Sequence, residues 1–278
     1  MKKKLLTLTT LLMILLVGCS GGGNKQENNA ANDGGNNAKQ EAAGELDTSK
    51  TYVLGMDDTF APMGFRDEKG ELTGFDIELA KEVGKRTGIQ MEFKPIDWAS
   101  KEAELTAKRV DLLWNGLTIT DQRKEKIDFS EPYMHNDQII VTLKSRADLK
   151  DMDSLAGKIV GTQEGGTGID ALAKLPDLKN SFKELRLYAV YTDALLDLEI
   201  GRIDAVLVDG VVGRYYMTKK PDTFYELPKV LATEIYGVGM RKDSAELKKA
   251  IDRAIGEIKA DGTGAKISEK WFGKDVMN

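Results

Sequence analysis

The sequence predicts an α/β protein whose body is two similar lobes, each a mostly parallel sheet flanked by helices. Three observations lead there. From Thr51 onward, short apolar runs of strand length alternate with longer runs of helical period. That β-α-β-α order implies parallel strands joined by helical crossovers. The alternation comes in two blocks, and in each a helix runs through a basic residue and an Asp into an apolar strand: "AKRVDLLW" and "IGRIDAVLVD". With 278 residues, 41% hydrophobic and 31% charged, the chain is long enough for one large domain or two modest ones.

The elements follow in order. "TYVLGM" reads as a strand. "GFDIELAKEVGKRTG" (Gly74–Gly88) puts Ile77, Leu79, Ala80 and Val83 on one face of an amphipathic helix. "IQMEFKPI" alternates as a strand, "ASKEAELTAKRV" reads as a helix, and "VDLLW" (Val110–Trp114) as a strand. In the second block "QIIVTL" (Gln138–Leu143) is a strand, "DMDSLAG" opens a helix, and "KIVGT" is a strand. Helix "GIDALAKL", strand "LRLYAVY", helix "TDALLDLEIGR", strand "IDAVLVD" (Ile203–Asp209) and helix "GVVGRYYMTK" continue it. "EIYGVGMRK" returns as a strand, and two helices, roughly residues 244–261 and 264–271, close the chain.

The N-terminus has a different character. "MKKK" is basic, and Leu5–Val17 is apolar but shorter than the roughly 20 residues of a membrane-spanning helix, so it reads as an export signal. The run ends in "LVGC", and Cys19, the only cysteine, follows Gly18. This resembles the bacterial lipobox, in which the signal is cut before a cysteine that is then lipidated. The alternative is a lone cysteine near an ordinary cleavage site. The next stretch is Gly-, Asn- and Ala-rich without aromatic or branched aliphatic residues, too poor in apolar surface to offset its ordering entropy. We therefore expect a signal at 1–18, then a lipidated cysteine and flexible tether at 19–47. A net charge of −5 and a pI of about 5.3 give no sign of nucleic-acid binding.

Ligands of open parallel sheets bind beyond the C-terminal strand ends, and four segments sit there. In Asn115–Arg123, Thr120 is a candidate helix N-cap, which places Arg123 in a first turn where the helix dipole disfavours a cation. Free amides, the Thr118 hydroxyl and a planar guanidinium together suit a carboxylate, although pairing of Arg123 with Asp121 or Glu125 would also explain it. "GTQEGGTG" (Gly161–Gly168) is a glycine-rich turn whose amides could approach an anion, or simply a tight turn. It has neither P-loop nor dinucleotide-binding spacing, so no cofactor is expected. Asp209 could neutralise an ammonium or cap the next helix. "GMDDTFAP" (Gly55–Pro62) offers Asp57, Asp58 and Phe60; Trp98 is a second aromatic near a strand end, and core packing is the commoner fate of both rings. His135 is the only histidine, and no metal-ligand cluster is evident.

Across about residues 48–276, "GFDIELAKEVGKR", "LTITDQRKEKIDFSEPY", "GRIDAVLVD" and "DGTGAKISEKWFG" together resemble the family 3 extracellular solute-binding proteins, the amino-acid receptors of ABC importers. The resemblance implies the two-lobed type II periplasmic-binding-protein fold. Lobe 1 would comprise 48–139 and 238–278, lobe 2 would comprise 140–237, and two hinge strands would lie near "QIIVT" and "EIYGV". It implies that Arg123, Thr118 and the Thr167 segment bind an α-carboxylate. Asp209, the Gly116 carbonyl and the Thr118 hydroxyl would bind the α-ammonium. Phe60 and Trp98 would sandwich the side chain, Asp57 would lie near its tip, Gln163 would approach from the second lobe, and Asn115 completes the set. Gly210 stands where many relatives carry an acid, which would leave a gap near the pocket.

The function implied is capture of a polar amino acid (glutamine, cystine or a basic one) for an ABC importer permease, by a monomer lipid-anchored on the outer face of the cytoplasmic membrane. A dehydratase-like enzyme using Asp57 or Asp58, and a sensory co-receptor, are competing readings.

Overall fold

The computed structural model describes residues 46–277; the expected export signal, Cys19 and nearly all of the expected tether lie outside the described residues. The end of that tether is already part of the body. Leu46 packs against the core, and the Asp47 carbonyl accepts the Tyr52 hydroxyl at 3.2 Å.

Two mixed sheets form the frame. The first runs Gln90–Pro95, Thr51–Met56, Leu112–Leu113, Gly239–Met240, Asp128–Phe129. Thr51–Met56 lies parallel to both of its neighbours, and Gly239–Met240 antiparallel to both of its own. The second runs Glu184–Tyr188, Ile159–Gln163, Ala205–Asp209, Met134–Leu143, Phe224–Glu226, with Ala232–Tyr236 also pairing along the long strand Met134–Leu143. Its first three strands are mutually parallel, and the long strand is antiparallel to its three partners. A small antiparallel sheet, Thr59–Phe60, Gly64–Arg66 and Leu72–Thr73, sits beside the first.

Burial explains the apolar runs. In Ala205–Asp209, Val206 and Val208 join one buried cluster, while Ala205 and Leu207 join another with Ile140 and Val160. Both faces of that strand are covered, so it reads as a continuous apolar run. The helix Phe75–Thr87 buries Phe75, Ile77, Leu79, Ala80 and Val83, as its period predicts.

Four elements differ from the sequence reading. "VDLLW" is a strand only at Leu112–Leu113. "ASKEAELTAKRV" begins as a 3-10 turn, Trp98–Ser100, and is α-helical only over Lys101–Thr106. "DMDSLAG" is a 3-10 turn, Asp153–Leu155, held by Ser154 and Asp151 bonding each other's backbone. "EIYGVGMRK" is divided between two sheets: Ala232–Tyr236 pairs in the second and Gly239–Met240 in the first. Gly237 lies at the division, where its N–H donates to the Leu117 carbonyl at 3.0 Å and an added Cβ would meet Ile119 Cδ1 at 2.7 Å.

The chain thus passes from first sheet to second between Phe129 and Met134, and back between Tyr236 and Gly239. The outgoing and returning strands are paired, with Tyr236 opposite Met134 and Glu234 opposite Asn136.

Candidate functional site

Register places a polar cluster on one face of the crossing. Successive side chains on a strand alternate faces, so Asn136 and Gln138 share one. Glu234 lies opposite Asn136, and on the other side of the long strand Asp209 lies opposite Gln138. The Asn136 Nδ2 donates to Asp209 Oδ1 at 2.8 Å and to Glu234 Oε2 at 3.3 Å. The hydroxyls of Tyr236 (2.7 Å) and Tyr191 (3.1 Å) also donate to Asp209. Asp209 begins a helix but makes no side-chain cap there, so the capping alternative is set aside. Burial first, and then the Glu234 charge, push its carboxyl up to about 6.

Thr118 joins this cluster from the first sheet's side. It bridges to Tyr236 in the backbone, and the Ile119 N–H donates to the Ile235 carbonyl at 2.9 Å. Its hydroxyl donates to Glu234 Oε2 at 3.0 Å and lies 3.3 Å from the Thr167 hydroxyl. Gly116, at φ 60°, turns the chain just before; a Cβ there would stand 2.9 Å from the Phe60 ring and 3.2 Å from Tyr236. Its N–H donates to the buried Asp76 at 2.7 Å.

Arg123 follows as the spacing predicted. Thr120 caps the short helix Asp121–Lys124, its hydroxyl accepting the Arg123 N–H at 3.1 Å. The guanidinium turns inward and is 9% exposed. It donates to the Thr118 carbonyl at 2.8 Å, the Gly165 carbonyl at 3.2 Å and Glu102 at 3.2 Å. Glu102, not Asp121 or Glu125, is its acidic neighbour.

The glycine-rich turn brings the second sheet's side to this point. Gly165, at φ 72°, offers its carbonyl to both Arg123 and the buried Lys101, the latter at 2.8 Å. An added Cβ on Gly165 would stand 2.8 Å from Ala99 Cα, so only glycine allows this approach. Burial, and then Arg123, lower the Lys101 ammonium to about 8. Thr167 accepts Gln138 Nε2 at 3.3 Å.

The Asp57 corner makes a further contact between the halves. Gln163 Nε2 donates to Asp57 Oδ2 at 2.7 Å, while Thr59 holds Oδ1 and Asn115 Oδ1 accepts the Asp57 N–H at 3.0 Å. The Asn115 Nδ2 is buried without a hydrogen-bond partner among the described residues. Burial raises the Asp57 carboxyl above its usual range. Asp58 faces outward, paired with Arg66 at 2.6 Å. Phe60 meets Tyr191 of the second half, ring centroids 6.0 Å apart. Trp98 is buried among Leu105, Leu113, Leu117 and Phe129, with Lys101 Nζ 5.2 Å over its ring. A Cβ added to Gly210 would stand 3.1 Å from the Arg214 guanidinium and 3.2 Å from the Asp137 carbonyl, so Arg214 fills that space; Gly210 also lines a cavity of about 400 Å³ with Asp137, Tyr215 and Trp271.

Asn136, Gln138, Tyr191, Tyr236, Glu234 and Lys101 join the site although sequence reasoning did not select them. The run of polar residues "HNDQ" heading an apolar strand was the available signal for Asn136 and Gln138. The arrangement has two poles. One presents a guanidinium beside the Thr118 and Thr167 hydroxyls; the other presents two carboxylates among neutral donors. Such a pair of poles can hold both charges of a zwitterion without leaving either unpaired.

The sequence pattern of the bacterial extracellular solute-binding proteins, family 3, matches residues 52–274. Over 227 residues, 81% of this chain and 84% of the relative, the chain is 36% identical to the L-cystine-binding protein TcyJ of Escherichia coli (strain K12). An ABC uptake transporter substrate-binding protein from Streptococcus pneumoniae, solved with bound histidine, matches with a TM-score of 0.79 at 40% identity, covering 83% of this chain and 95% of that one. The ancestral amino-acid-binding protein AncCDT-1, a precursor of cyclohexadienyl dehydratase, matches with a TM-score of 0.74 at 32% identity, covering 81% and 96%. These likenesses agree with the two-lobed fold of type II periplasmic binding proteins.

Proposed function

Because the chain belongs to the bacterial extracellular solute-binding proteins, family 3, we propose that it captures a free polar amino acid between its halves and delivers it to an ABC importer permease. The observation that carries this is the two-pole cluster: Arg123 with Thr118 and Thr167 at one end, Asp209 at the other, contributed by both halves of the molecule. Arg123, Thr118 and Thr167 hold the α-carboxylate. Asp209, the Gly116 carbonyl and the Thr118 hydroxyl hold the α-ammonium. Phe60 and Trp98 flank the side chain, Asp57 meets its tip with Gln163 closing from the other half, and Asn115 fixes the Asp57 loop.

Lobe 1 is 48–139 with 238–278, lobe 2 is 140–237, and the paired crossing strands are the hinge. Residues 1–18 are an export signal, and Cys19 carries the lipid that holds the monomer on the outer face of the cytoplasmic membrane. The ligand is glutamine, cystine or a basic amino acid, and it is released unchanged rather than converted.

Calorimetric titration of residues 45–278, freed of bound solute by mild unfolding, against the twenty amino acids and cystine tests this. One or two ligands should bind near micromolar, about −8 kcal/mol. Arg123→Ala should abolish that heat, and the ligand should be recovered intact. No heat from any of them, with the protein folded, would overturn the receptor reading.

A further inference from the structure

Asp209 does not stand alone. Glu234, on the returning strand, shares the Asn136 amide with it, and the two carboxylates face one side of the same three-strand ladder. Glu234 Oε2 accepts Thr118, Asn136 and Gln138, while Asp209 accepts Asn136, Tyr191 and Tyr236. Every one of these donors is neutral. Asp111, by contrast, is paired with Lys50 at 2.7 Å and Arg241 at 3.0 Å; the buried Asp57 and Asp76 accept neutral donors only, but neither shares a donor with a second carboxylate. Two carboxylates in reach of one amide repel each other, and no lysine or arginine among the described residues pairs with either one. The repulsion is costly unless a cation enters between them. Glu234 also has capacity to spare, since a carboxylate offers about four acceptor positions and its Oε1 accepts no hydrogen bond among the described residues.

We infer that Glu234 is a ligand-binding residue that shares the α-ammonium of the bound amino acid with Asp209. This rests on the amino-acid reading above and adds to it. The ammonium is held by a carboxylate from the second sheet's interior and one from the returning hinge strand. The cationic group of the ligand therefore engages the connection between the halves as well as their walls. Glu234 accordingly acts in selection. A ligand whose amino group is replaced by a neutral hydroxyl brings no positive charge and only one donor, so it leaves the two carboxylates facing each other with at most one of them bonded.

The test is a coupling measurement on the full chain. L-Cystine, L-histidine, L-arginine and L-glutamine are titrated into wild type, Glu234→Gln and Asp209→Asn. Each is paired with its counterpart in which hydroxyl replaces the α-amino group, followed by displacement. Glu234→Gln should weaken the amino acid about ten- to a hundredfold, the range for a charge-assisted hydrogen bond. It should change the hydroxy acid far less, as should Asp209→Asn. Glu234→Asp, which keeps the charge but withdraws the oxygens, should show the same bias if the amide variant proves unstable. If both ligands weaken by one common factor, or neither changes, Glu234 is a structural residue and the inference falls while the receptor reading stands. If none of the four binds wild type, whichever of the twenty amino acids binds in the titration above takes their place; if none of those does either, the receptor reading falls and takes this inference with it.

Discussion

Asp209 shows how one side chain can set the conditions for binding. Its carboxyl is raised from 3.8 to about 6 by burial and by Glu234, so the ligand-free site holds a proton below that pH. An ammonium needs the carboxylate. Binding therefore expels the proton, affinity is full above about pH 6, and it falls as pH drops through that value. Titrations at pH 7.5, 6 and 5 should show affinity declining toward about tenfold per pH unit on the acid side. Asp209→Asn should flatten the profile. A wild-type profile that is flat from 7.5 to 5 would show that this carboxyl is not the one that meets the ammonium. Residues of this kind were only partly legible. Arg123 and Asp209 announced themselves because a cation in a helix's first turn and an acid closing an apolar strand are local anomalies. Glu234 carried no such mark, since a glutamate on a short strand is ordinary until pairing places it opposite Asn136. Lys101 was hidden for a similar reason: besides the nearby Trp98 carbonyl, its ammonium is held by the distant Gly165 carbonyl.

Among the elements, amphipathic helices were the easiest to read and connecting segments the hardest. Phe75–Thr87 and Ala245–Ala260 carry their period in their own residues. "EIYGVGMRK" looks like one strand because local apolar pattern does not say which sheet each half joins, and the division at Gly237 depends on Leu117 and Ile119. "VDLLW" overreaches for a related reason: Val110 and Trp114 are buried beyond the ends of the ladder. The turn at Gly116 is the element on which the cluster hangs. Its positive φ and the 2.9 Å approach to Phe60 leave no room for a side chain. Gly116→Ala should cost about 1–3 kcal/mol of stability from backbone strain alone. It should also displace Thr118 and weaken ligand binding. Urea unfolding with parallel titration checks both, and an alanine variant with unchanged midpoint and affinity would remove the turn from the account.

Taken whole, the molecule draws its two halves together through contacts that include Gln163 to Asp57, Gly165 to Lys101 and Arg123, Thr118 near Thr167, Tyr191 on Phe60 and Tyr215 on Phe65. A ligand that adds contacts to both walls should favour this closed arrangement. It should raise unfolding free energy by about 2.7 kcal/mol at a hundredfold excess over Kd, read as an upward shift in thermal midpoint that Arg123→Ala abolishes. No shift at saturation would mean that the solute does not bind the folded state. The double crossing has a different consequence, for modularity. Met134 and Tyr236 are paired neighbours, so everything between them enters and leaves the rest of the protein at one place. Such a segment is an insert with adjoining ends. It should be exchangeable for the matching insert of a relative, with the host sheet, built from residues on both sides of the cut, keeping its strands in register.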